Sequence, residues 1–74
     1  MPLKKEEARR AIAYLDEALA FEEQAVKRYQ DHIASIAHPD VNAFLEGVIR
    51  TEKGHMAELW TRIEALKKLL EGED

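Results

Sequence analysis

Cysteine is absent from the 74-residue sequence, which closes several chemistries at once. No disulfide can staple the fold, and zinc ribbons, iron–sulfur clusters and thiol nucleophiles are excluded. Any metal must be held by oxygen and nitrogen, from carboxylates and the three histidines. Long apolar runs are also missing: nothing approaches the ~20 residues of a membrane span, and the opening MPLKKEEARR is charged where a secretory leader needs an apolar stretch. A cytoplasmic-type protein without a membrane partner is expected. There is no basic stripe either. The net charge is −4, with acids and bases interspersed, so phosphate backbones find no counterpart and nucleic acid is not expected as a partner.

Proline and glycine are scarce, at two and three residues, and only one point divides the chain. At IAHPDV, Pro39 disfavours helix at His38 and suits the first position of a new helix. The rest is dominated by Ala, Glu, Lys, Leu and Arg, all good helix formers. The expectation is all-α: one domain over residues 1–74, with a helix from about 3 to 37, a turn near 38, and a helix from about 39 to 70 stopped near Gly72. Each helix would run about 45 to 50 Å.

The first helix carries Ile12, Leu15, Leu19, Glu22, Val26, Tyr29, Ile33 and Ile36 at steps of three and four, the seam spacing of a helical bundle. The second carries Val41, Leu45, Val48, Glu52, His55, Leu59, Ile63, Leu66 and Leu70, flanked by Phe44, Ile49, Met56 and Trp60. That second stripe is wider than one partner helix requires. A chain this short also buries little surface alone. Both points predict an antiparallel hairpin that dimerises into a four-helix bundle, a homo-oligomer of at least two chains. Ala11, Ala18 and Ala25, with Gly47 and Gly54, are read as lines of close helix approach; Gly54 has the second reading of clearing space beside Glu52 and His55.

Four seam positions are polar: Glu22, Tyr29, Glu52 and His55. A hairpin turning near residue 38 pairs positions whose numbers sum to about 75 or 76, so Glu22 stands level with Glu52 and His55. Residues three apart on a helix share a face, and the three groups converge. Two hairpins related by a twofold axis would then supply a Glu from each of two helices and a Glu-x-x-His from each of the other two, the ligand set of di-iron and di-manganese carboxylate bundles. Four buried carboxylates are costly when empty; two divalent cations offset them. Carboxylate with imidazole suits iron or manganese, with zinc a further option.

The paired segments FEEQAVKRY and TEKGHMAEL resemble the half-bundle of the ferritin-like superfamily, closest to rubrerythrin-like proteins and encapsulated ferritins. The resemblance covers nearly the whole chain, and Glu22, Tyr29, Glu52 and His55 match the family pattern one for one. It implies a di-iron site formed on dimerisation, two ions per dimer, acting as a ferroxidase on ferrous iron with dioxygen. Glu22, Glu52 and His55 would be the metal ligands and Tyr29 a partner of a carboxylate beside them. It also raises location inside a protein nanocompartment. Three departures qualify it: rubrerythrins add a cysteine-ligated iron domain; encapsulated ferritins carry a further helix and an apolar glycine-containing tail where this sequence has LLEGED; and Arg28 stands where an aromatic often precedes the Tyr. No targeting tail for a shell is therefore expected.

Two other readings stand beside ferroxidase. One is a helical oligomerisation module in which the polar seam sets register. The other is a protein that binds manganese or zinc and turns nothing over. Glu23 replaces Glu22 as a ligand if the first helix is rotated. His32 and His38 are expected to face solvent, and Phe44 and Trp60 to pack in a core or interface.

Overall fold

The computed structural model describes residues 4–72 as two helices, α1 (Lys5–Ser35) and α2 (Pro39–Glu71), packed side by side as a hairpin 55 Å long and 17 by 15 Å across. The expected starting residue 3 lies outside the described residues. Helix α1 ends two residues earlier than expected, and Ile36 to His38 form the turn.

Local chemistry sets both ends of the turn. The Ile36 N–H still bonds the His32 carbonyl at 2.9 Å, and the Asn42 amide donates to the Ile36 carbonyl at 2.9 Å. Pro39 opens α2, where its missing N–H costs nothing. His38 is the N-cap: its Nδ1 accepts the Val41 N–H at 3.3 Å. Although solvent-facing as expected, His38 therefore has a structural task that its place before a proline does not reveal. At the other end of α1, the Lys4 N–H donates to Oε1 of Glu7 at 3.3 Å, the return half of a capping box.

Between the helices, Ala8, Val26, Ile49 and Ile63 are buried. The α1 seam holds from Ile12 through Leu15, Leu19, Glu22, Val26 and Tyr29 to Ile33, each at least partly covered; Ile36, at the turn, is exposed. The expected α2 seam is at least partly covered except at Val41 and His55, which are exposed, and the flanking Ile49 is buried and Met56 partly covered beside it. With a stripe wider than one partner can cover, packing selects the edge carrying Ile49 and Met56. Phe44 and Trp60 are exposed as well, so neither is in the hairpin core.

The glycine reading also needs correction. A Cβ placed on Gly54 would meet nothing within 4 Å, and one on Gly47 only the tip of Arg50 at 3.9 Å. Gly54 is exposed and Gly47 partly covered. Within the hairpin they neither permit a close helix approach nor clear space for Glu52 and His55.

Candidate metal centre

The middle of the hairpin brings Glu22 from α1 together with Glu52 and His55 from α2. One ligand atom from each lies within 4.8 Å of the other two. Two regular features produce this meeting: the three-residue step that stacks Glu52 and His55 on one side of α2, and the turn that sets Glu22 at their height. Each residue is fixed by a long helix on both sides, so the donors project from rigid backbone.

Burial grades across the cluster. Glu22 is partly covered, the Glu52 side chain is 22% exposed, and that of His55 is 56% exposed. Nδ1 of His55 lies 3.9 Å from Oε1 of Glu52, too far for a hydrogen bond. Oε2 of Glu22 is itself buried and accepts no hydrogen bond. A buried carboxylate oxygen without a donor is costly, and a cation between the three side chains would offset that cost. The cluster opens into a groove of about 290 Å³ lined by Ala18, Glu22, His55, Glu58, Leu59 and Arg62. The three donors would hold an ion from the helix side, with the groove beside them.

No family model, characterised protein or solved structure matches this chain. Its chemistry is read from the donors alone. Two carboxylates and one imidazole are hard to intermediate ligands, suited to a first-row divalent ion and able to balance its charge.

Tyr29 lies two turns along α1 from Glu22, partly covered, roughly 10 Å along the axis. Glu23 is exposed and not among the three clustered donors. His32 and His38 are exposed, as expected. Glu58 and Arg62 are groove residues that seam reasoning passed over. Their signal was available: they follow His55 at three and seven residues, on one side of the helix.

Among the described residues, no helix is long and apolar enough to cross a membrane.

Proposed function

We propose that this chain is a metal-binding helical hairpin, holding a divalent first-row ion through Glu22, Glu52 and His55. The observation that carries the reading is the convergence of three donor atoms within 4.8 Å from two separate helices. Anaerobic titration with cobalt(II), followed by its visible absorption, tests it. One binding event per chain, lost in Glu52→Ala and His55→Ala, is expected; spectra unchanged from buffer would leave the helical module with a polar register as the better account.

A second reading is favoured by the open side of the cluster and the exposed apolar residues around it. A second hairpin laid on that side, related by a twofold axis perpendicular to the helices, would bring two such sets together into the two-metal carboxylate site of a ferritin-like bundle. In that assembly ferrous iron is the substrate and dioxygen the oxidant, and the chain acts as a ferroxidase. The chain's own contribution is to bind and orient: Glu22 and Glu52 supply negative charge to the ions, and His55 supplies a neutral donor at the rim. Aerobic oxidation of ferrous iron faster than in buffer, and largely lost in His55→Ala, is the expected result. Cobalt binding with no acceleration would leave a binding protein that takes manganese or zinc without turnover.

A further inference from the structure

Arg62, seven residues after His55, stands in the groove that opens beside the metal cluster. Glu22, His55, Glu58 and Arg62 line that groove together, and Glu52 completes the donor set with Glu22 and His55. Side chains on a helix lean toward its N-terminus, so the long Arg62 side chain reaches back along α2 toward Glu58 and His55. Among the described residues it forms no ion pair and no hydrogen bond. No carboxylate cancels its charge, and that charge is permanent, because a guanidinium keeps its proton in proteins. A permanent cation beside a set of cation ligands opposes binding.

What that opposition achieves follows from the charge balance. Three carboxylates, Glu22, Glu52 and Glu58, stand with one guanidinium around the cluster and its groove, and a ligating imidazole is neutral. The balance is two negative charges. One divalent ion cancels it, and one trivalent ion overshoots it. Without Arg62 the balance is three, the charge of a trivalent ion. Attraction to carboxylates rises with ion charge, so the donors alone favour the trivalent ion. Repulsion from Arg62 rises with ion charge as well, and works against that preference.

We propose that Arg62 sets the charge selectivity of this site: its unpaired guanidinium makes the Glu22, Glu52 and His55 cluster retain divalent ions against trivalent ones. The inference rests on the metal-binding reading above and adds a residue that chooses among ions the three donors would all accept. Arg62 donates no ligand atom to the ion. It acts through its field across the groove, where solvent screens it only in part. Glu58 has the complementary part. Its carboxylate keeps the groove from turning positive around Arg62, so divalent cations still enter.

Ions of different charge test this directly. Arg62 is exposed, so Arg62→Gln and Arg62→Lys leave the hairpin core untouched. Cobalt(II) affinity is read from visible absorption, and terbium(III) affinity from its displacement of cobalt. Because Coulomb repulsion scales with ion charge, Arg62→Gln is expected to tighten both ions unequally: a gain of about threefold for cobalt implies about fivefold for terbium. Arg62→Lys keeps the charge and is expected to keep the wild-type ratio of the two affinities. Added salt is expected to narrow the difference between wild type and Arg62→Gln. A wild-type ratio in Arg62→Gln would overturn the selectivity and leave the metal site standing. Weaker cobalt binding in Arg62→Gln would overturn it too, as the sign of a guanidinium that holds an anion on the metal. Absence of cobalt binding in wild type and both variants would sink the metal site and the selectivity together.

Discussion

The two helices use their apolar residues differently. Helix α1 commits most of one narrow seam to α2, from Ala8 and Ile12 to Ile33, and the residues expected inside are at least partly covered up to the turn. Helix α2 carries a broader stripe and covers it unevenly: Ile49 and Ile63 are buried and the seam from Leu45 to Leu70 is mostly part-covered, while Val41, His55, Phe44 and Trp60 remain exposed. A narrow stripe specifies its own rotation. A broad one specifies only that some part of it will be covered, and His55 owes its rim position to which part that is.

The strongest way to break this comparison is at its inner row. Ile63 is 3% exposed, and Ile63→Ala is expected to cost about 2 to 5 kcal/mol by removing packed methyl and methylene groups, measured by urea unfolding of the metal-free chain. Against a total of order 5 to 15 kcal/mol this is a large fraction of the stability. A loss below about 1 kcal/mol would show that the inner row does not carry the hairpin.

Next in size is Glu22, the polar interruption of the α1 seam. Its buried oxygen has no hydrogen-bond partner, so Glu22→Leu is expected to stabilise the metal-free chain by about 1 to 3 kcal/mol while abolishing cobalt binding. The two readouts move in opposite directions only if stability was given up for a ligand. A stabilised variant that still binds cobalt would remove Glu22 from the site.

Smaller effects sharpen the contrast at the outer side of α2. Gly54 has open space where a Cβ would sit, so Gly54→Ala is expected to raise stability by about 1 kcal/mol through helix propensity alone, with cobalt affinity unchanged. Destabilisation would reveal a close neighbour on that side in the assembled protein. Smallest is the exposed edge: Val41→Thr is expected to change hairpin stability by less than about 0.5 kcal/mol, yet to weaken self-association in sedimentation. Equal effects on both would place Val41 in the inner row.

The sequence contained the meeting of Glu22, Glu52 and His55 because that meeting depends on counting. Helical rise is constant, so once Pro39 fixes the turn, the height of every residue on one helix follows from its number on the other. A three-residue step then places Glu52 beside His55 whatever α2 packs against. Tyr29 resisted the same treatment: a seam position gives its height and side, but not whether its hydroxyl approaches a carboxylate two turns away. The sequence left Gly54 open because a small residue near a site is compatible with close packing, with cleared space or with plain exposure, and within the hairpin it is exposed. Periodicity does not separate these.

By itself, then, the sequence determined two helices, their turn, their antiparallel pairing and the level at which acids and imidazole gather, since all of these follow from backbone geometry and one proline. Only the tertiary structure decided which edge of the broad α2 stripe is covered, and with it the exposed rim position of His55, the covered positions of Ile49 and Met56, and the exposure of Gly54. The physical reason is that rotation about a helix axis is set by side-chain fit against a neighbour, and a stripe wider than that neighbour admits several rotations of the same pattern.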